Sequence, residues 1–265
     1  MAETSMNVKL LAHTQLSESF CDHIYELAPD VDDYVMEKVP DGQAVALTAI
    51  RTCYSPNKPS EIVAKEGVKY FGTSATDGEG GTEADRLIRH IVRSRHLSTL
   101  EHLSFTFAIE GVIRALLAQL TRHRVGFSFS VQSQRYVRFG SDDRSGGFDY
   151  VMPESVEGKE IPNDRLSVSK TVSAEYIFEE VMEFAQTTYD RLRKAGVPPE
   201  DARAVLPNAA ATNLVMTANL RALLDFYAKR RRGRGAQAEI VELAEALRKA
   251  VVEVEPWIDK FFEEA

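Results

Sequence analysis

The chain has 265 residues, a formal net charge of -8, 44% hydrophobic and 27% charged residues, ordinary globular proportions that allow a sizeable core in one or two domains. The acidic balance argues against a general nucleic-acid binder, and no apolar run has the length of a membrane span or the flanks of a signal peptide. Cys21 and Cys53 are the only cysteines and form neither a CxxC pair nor a disulfide framework, so a reduced, cytoplasmic location and no metal centre are expected.

Residues 7–12 read as a short strand. Residues 45–51 read as a helix or a strand, and periodicity leaves both open. Residues 73–84, rich in Gly, Thr and acidic side chains, read as a loop, and Glu83 to Ser94 as a helix. Leu103, Phe105, Phe107 and Ile109 alternate with Ser104, Thr106 and Ala108, the period of a half-buried strand. Gly111 is expected to break that run, with Val112, Ile113, Leu116, Leu117 and Leu120 following a helical period. On that helix Gln119 lies three residues before Arg122 and four before His123, so the three share one face.

The string TRHRVGFSFSVQSQRYV follows at 121–137. Arg122, His123, Arg124 and Arg135 are interleaved with Ser128, Ser130, Gln132, Ser133 and Gln134, and no acidic residue lies between Glu110 and Asp142. Uncompensated cations beside hydroxyl donors suit a phosphorylated ligand, because the planar guanidinium fork matches phosphate oxygens. Phe127, Phe129, Val131, Tyr136 and Val137 are expected to bury the segment, and arginines drawn into a buried segment need anionic partners.

Residues 139–165, with Gly140, Gly146, Gly147, Pro153, Gly158 and Pro162, read as an extended excursion. Ala174 to Ala195 reads as a helix with an apolar stripe of Ile177, Val181, Phe184, Thr188 and Leu192, stopped by Gly196 and Pro198. A short helix is expected over Glu200–Val205, and a mixed polar and apolar run continues to Leu223 and Phe226. The basic run that begins at Lys229 reads as a solvated basic turn or a nucleic-acid patch. A last helix over 236–254 packs Ile240, Leu243, Leu247, Val251 and Val252 inward. Many helices and a small sheet give an α+β class.

Five segments, in order, resemble the flavin-dependent thymidylate synthases. They are Ala49-Ile50-Arg51-Thr52-Cys53-Tyr54, His96 to His102, Arg122-His123-Arg124 with Ser133-Gln134-Arg135, Ala202 to Pro207, and Asn219-Leu220-Arg221. The resemblance covers most of the chain. It implies one domain over residues 1–265, built on a central antiparallel sheet flanked by long helices. It also implies a homotetramer with active sites at subunit contacts. The implied reaction is methylation of dUMP to dTMP without a cysteine nucleophile, with 5,10-methylenetetrahydrofolate as donor, FAD as relay and NADPH as reductant.

Residue by residue, the resemblance makes Ser98, Arg122, His123, Arg124, Val125, Val131, Asn219, Leu220, Arg221 and Asp225 flavin contacts. Gln119, Leu120, Thr121, Arg122, Val131, Gln132, Ser133, Gln134, Arg135, Arg203 and Arg230 become dUMP contacts. His96 and Glu101 fall near the flavin and the folate or NADPH entrance. Arg230 matches the arginine that polarises the uracil ring, with Arg231 and Arg232 as alternatives. Against the family pattern, one residue is added between Arg124 and Phe127, Val131 stands where Glu or Gln is common, and Asp225 where Asn or His is frequent.

Overall fold

The alternating run of the sequence becomes the centre of a sheet. β2 (Ser104–Ile113) buries Phe105, Phe107 and Ile109. It pairs antiparallel with β1 (Asn7–His13) on one side and β6 (Ala211–Asn219) on the other. β3 (Phe127–Val131) adds to the free side of β6, giving the order β1-β2-β6-β3, antiparallel throughout. A separate two-stranded sheet joins β4 (Glu160–Pro162) to β5 (Thr171–Ser173). The computed structural model describes residues 1–29, 39–162 and 171–264. The end of the expected excursion, 163–165, lies outside them.

Two strand boundaries differ from the sequence reading. Gly111 does not end β2; it adopts φ +65 at a register shift between Ile109 and Val112. Such a bulge re-aims the chain without ending the ladder, so Val112 and Ile113 are strand, and α5 (Arg114–Leu120) begins only at Arg114. The mixed run before Leu223 contains β6, whose Thr212, Leu214, Met216 and Ala218 point into the core. An inward polar residue, Thr212, and an outward apolar one, Val215, disguise the period of two; Thr217 pairs by hydroxyl with Thr106 of β2 at 2.9 Å.

The ambiguous residues 45–51 fold within α2 (Asp41–Thr52), which packs with α1 (Glu18–Leu27) and α3 (Ile62–Phe71) around Ile24, Leu47, Val63 and Phe71. α8 (Leu220–Arg230) and α9 (Ala238–Val254) pack on the main sheet. Ile240, Leu243, Leu247 and Val251 of α9 are buried as read, with Val252 at the margin. α10 (Asp259–Glu264) closes the same core through Phe261 and Phe262.

α6 (Ala174–Lys194) is present, but its buried face is not the stripe expected. Met182, Ala185, Gln186 and Tyr189 turn inward against Phe139, Phe148 and Tyr150 of the excursion. Gln186 completes the contact, donating to the Phe139 carbonyl (2.8 Å) and accepting from the Phe148 N–H (3.0 Å). Val181 and Phe184 lie outside, Phe184 at 73% exposure. The expected helix over Glu200–Val205 is a single turn, α7 (Pro199–Ala202), tightening into a 3-10 turn over Arg203–Val205. Burial of 121–137 is also lower than its aromatics suggest, because β3 is an edge strand: Phe127, Phe129 and Val131 are half-buried and Tyr136 is exposed.

α4 (Glu83–Arg93) starts at a capping box between Thr82 and Asp85. Its buried Arg89 reaches into the preceding loop, bonding both carboxylate oxygens of Asp77 (2.9 and 2.7 Å) and the Gly80 carbonyl (3.1 Å). The helix stops through a paired turn: Arg95 N–H donates to the Val92 carbonyl and His96 N–H to the Ile91 carbonyl, each at 3.1 Å. Glycine usually occupies the left-handed position of this motif. Here it is Arg95, at φ 59, a conformation costing a side-chain-bearing residue roughly 1 kcal/mol.

At Gly111 a Cβ would collide with the Ser5 carbonyl oxygen. Gly111→Ala is therefore expected to cost about 2 kcal/mol or more, from collision and left-handed strain together. Urea unfolding should show a lower midpoint with an unchanged slope.

Candidate active site

The junction of β6 with α8 organises one side of the molecule. Asn219 ends the strand and caps the helix, its Oδ1 accepting from the Ala222 N–H at 2.9 Å, a contribution of about 1 kcal/mol to the helix start. Its own N–H donates to the Gly126 carbonyl at 3.1 Å, and the next N–H, of Leu220, to the Leu103 carbonyl at 2.8 Å. Gly126 has φ 76, and a Cβ there would press on the Asn219 side chain and Ala222. Three segments are thus tied together: 97–103, 125–126 and the start of α8.

Between them opens a cleft of about 700 Å³, within the range of small-molecule sites. Val125, Asn219, Arg221 and Asp225 line it, as do Leu97 and Glu101 of the 3-10 turn Leu97–His102. Arg93 and Arg95 from the end of α4, and Phe261 and Glu264 of α10, complete its rim. Apolar walls (Val92, Leu97, Leu224, Phe261) face three arginines, a surface for a flat ring system carrying negative charge. Arg221 bonds Glu101 at 2.5 Å, Arg93 pairs with Glu79 and Glu264, and Asp225 pairs with Lys229 at 2.6 Å. Ser98 is exposed on the same 3-10 turn, and His96 beside it meets the Tyr54 hydroxyl at 3.2 Å. Leu220 is different: its side chain is fully buried in the core.

A second feature joins the turn 121–126 to the end of α8. The His123 ring packs edge-on against Phe226 (centroids 4.9 Å apart) and near Phe127. Burial, and then the charge of Arg230, hold its imidazole below the ordinary pKa, so it is neutral at neutral pH. Its Nε2 accepts the Arg230 Nε–H at 3.2 Å. Of the three candidate arginines, Arg230 is the one directed inward. Arg231 binds the Glu263 carbonyl at 3.2 Å, and Arg232 is exposed. Arg122 and Arg124 project outward on the same turn, without an acidic partner among the described residues.

A third group lies at the far end of β3. Gln132 accepts from Asn213 at 3.1 Å, the Ser133 hydroxyl accepts the Arg135 N–H at 3.2 Å, and Gln134 is buried. Arg135 forms an ion pair with Glu200, whose carbonyl accepts from Arg203 Nε at 3.0 Å. Sequence reasoning missed a member of this group, Arg114. It opens α5, touches the Thr212 hydroxyl at 3.3 Å, and has its pKa lowered by burial and by the nearby Arg203 charge. Two neighbouring guanidinium groups, one half-buried, make a site that an anion would stabilise. The signal was its place one helix length before Gln119, on an element already read as functional. Gln119 itself bonds Gln237 at 2.5 Å; Thr121 bonds the Leu117 carbonyl, and the Leu120 side chain is fully buried.

The first and third groups do not meet within one chain. Val125 and Gly126 precede β3, and Gln132 to Arg135 follow it. Its five residues separate them by about 17 Å at strand spacing. Val131 is the last residue of β3, paired with Leu214 and half-buried.

The lowered His123 pKa has a definite sign. The unfolded chain takes up a proton near pH 6.5 and the folded one only at lower pH. Stability contributed here is present above about pH 6.5 and is lost as pH falls toward the folded value. A His123→Gln variant should lack this part of the acid-side decline in urea midpoints measured between neutral and mildly acid pH.

The family model described as "Thymidylate synthase complementing protein" matches residues 34–257. The flavin-dependent thymidylate synthase of Geobacter sulfurreducens is 38% identical over 224 residues, covering 84% of this chain and 83% of that protein. That of Haloarcula marismortui is 32% identical over 244 residues, covering 88% and 94%. Among solved structures, the UMP/dUMP methylase PolB from Streptomyces cacaoi, bound with 5-Br dUMP, aligns with a TM-score of 0.68 and 23% identity, covering 99% of this chain and 97% of that one. Thymidylate synthase X from Helicobacter pylori, with FAD and dUMP, aligns at 0.58 and 22% identity, covering 98% of each chain. The structures carry the fold: an α+β architecture on an antiparallel sheet. The matched residues take in β2, β3 and β6 of the sheet, and on that ground, with the identities to these relatives, the chain belongs to the flavin-dependent thymidylate synthases.

Proposed function

We propose that this chain carries out its family's reaction, methylation of dUMP to dTMP, in a site that two or more copies complete. The observation that carries the proposal is the division of the site. A flavin-suited cleft and a phosphate-suited arginine group stand at opposite ends of β3. Copies related by symmetry can bring one chain's cleft to another's arginines, which a homotetramer does with identical contacts. The exposed Val181 and Phe184 of α6, with exposed Tyr136, supply apolar surface of the kind that subunit contacts cover.

The cleft fits FAD on its own chemistry. It offers apolar walls for a ring system and arginines for phosphate. Asn219, Arg221, Asp225, Val125 and Ser98 would hold the cofactor from this side, with Arg122, His123 and Arg124 on the adjoining turn. Leu220 would contribute only main-chain atoms, since its side chain is in the core. When bound, the flavin supplies the methylene relay and the hydride, with methylenetetrahydrofolate as donor and NADPH as reductant.

The chain's own residues bind and polarise. Arg114, Arg135 and Arg203, with Ser133, hold the dUMP phosphate; Gln132 and Gln134 shape that pocket, and Val131 contributes its main chain. Gln119, Leu120, Thr121 and Arg122 form the wall toward the ring, Leu120 by main chain alone. Arg230 faces the uracil. His123 accepts the Arg230 Nε–H, which fixes the guanidinium plane and leaves its terminal N–H groups for the ring oxygen. A fixed cation stabilises negative charge that develops on the ring. No thiol is required, and neither Cys21 nor Cys53 lines the cleft.

Purified protein is expected to show a bound-flavin visible spectrum that changes when dUMP is added. A colourless protein that takes up no FAD would overturn the proposal. Arg230→Ala should lower kcat by about 100- to 1,000-fold, the range for losing one electrostatic donor, while flavin binding persists. Arg114→Ala should instead raise the KM for dUMP; an unchanged KM would remove Arg114 from the phosphate site.

A further inference from the structure

Arg95 is the only non-glycine residue with positive φ among the described residues. It stands at the left-handed position of the turn that ends α4, where the backbone favours glycine. A helix C-terminus does attract cations, but His90 and Arg93 already occupy the last turn of α4. Helix stability therefore does not account for a strained arginine. Strain of this kind is retained where a side chain serves a site.

The side chain's position supplies that site. Arg95 lines the cleft beside Val92 and Leu97. The two other arginines of the cleft are neutralised, Arg93 by Glu79 and Glu264, Arg221 by Glu101. Arg95 is exposed and has no hydrogen-bond or ion-pair partner for its guanidinium among the described residues. It is the cleft's uncompensated positive charge, next to apolar walls that suit a flat ring.

We infer that Arg95 is an anion ligand at the mouth of the cleft, gripping a phosphate of a dinucleotide whose ring lies against the apolar wall. The inference rests on the flavin-dependent reading above. Both FAD and NADPH carry such phosphates, and the two sources separate by experiment.

The variants are Arg95→Gly, which relaxes the backbone and removes the charge, and Arg95→Lys, which keeps the charge and the strain. FAD affinity is read by fluorescence titration of the flavin-stripped protein, and nicotinamide affinity by the concentration dependence of flavin reduction by NADPH. Melting temperature is read for each variant. Arg95→Gly is expected to melt higher than the parent yet bind one dinucleotide several-fold more weakly, with Arg95→Lys retaining most of the affinity. A weaker FAD Kd assigns the phosphate to the flavin; a weaker NADPH dependence alone assigns it to the reductant. Unchanged affinities for both, or a loss confined to the KM for methylenetetrahydrofolate, would overturn the inference while the flavin reading stands. A parent protein that binds no FAD fails the flavin reading first.

Discussion

Asn219 ends one strand and begins one helix, and its N–H and side-chain oxygen are both committed to that change of direction. Its N–H holds the Gly126 carbonyl, its Oδ1 caps α8, and the neighbouring Leu220 N–H holds Leu103. Segments far apart in sequence are thereby set at fixed spacing: the 3-10 turn before β2, the entry to β3, and the helix carrying Arg221, Asp225 and Arg230. The core beneath consists of large rigid side chains such as Phe105, Phe107 and Phe226, so the junction has little freedom to drift. The cleft wall follows from this one corner.

Charge is distributed on the same plan. A chain with net charge -8 has no acidic residue between Glu110 and Asp142, the stretch that holds α5, the turn 121–126 and β3. Where arginines must stay fixed for structure, they are paired, as in Arg89 with Asp77 and Arg248 with Asp259 at 2.8 Å. Arg95, Arg114, Arg122 and Arg124 are among the arginines without a carboxylate partner in the described residues, and they lie at the cleft or in the α5–β3 region. His123 sits between these regimes, neutral because it is buried against Phe226 and faces Arg230.

Much of this was legible in the sequence, for physical reasons that also mark its limits. β2 and α9 bury one face each, so their apolar residues repeat with the period of the element, and both were read correctly over most of their length. Gly111 misled because a glycine that breaks periodicity and one that bulges a strand look alike in a single sequence; only the approach of Ser5 tells them apart. β6 was missed because Thr212 takes an inward position and hides the alternation. The α6 stripe was misplaced because that helix has two apolar faces, one toward Tyr150 and Phe148 and one outward through Val181 and Phe184. Among the site residues, the arginines and Asn219 stood out by type. Arg114 did not, since one arginine at a helix start is unremarkable until Arg203 is found beside it.

The separation of the two groups by the length of β3 reaches beyond geometry. If copies share the site as proposed, turnover becomes a property of dilution as well as of sequence. Specific activity then falls when copies part, though each chain stays folded. On the same proposal, damage is local to a half-site. A chain lacking the arginines near Glu200 and another lacking the cleft wall, each inert alone, can restore an intact site when they exchange subunits.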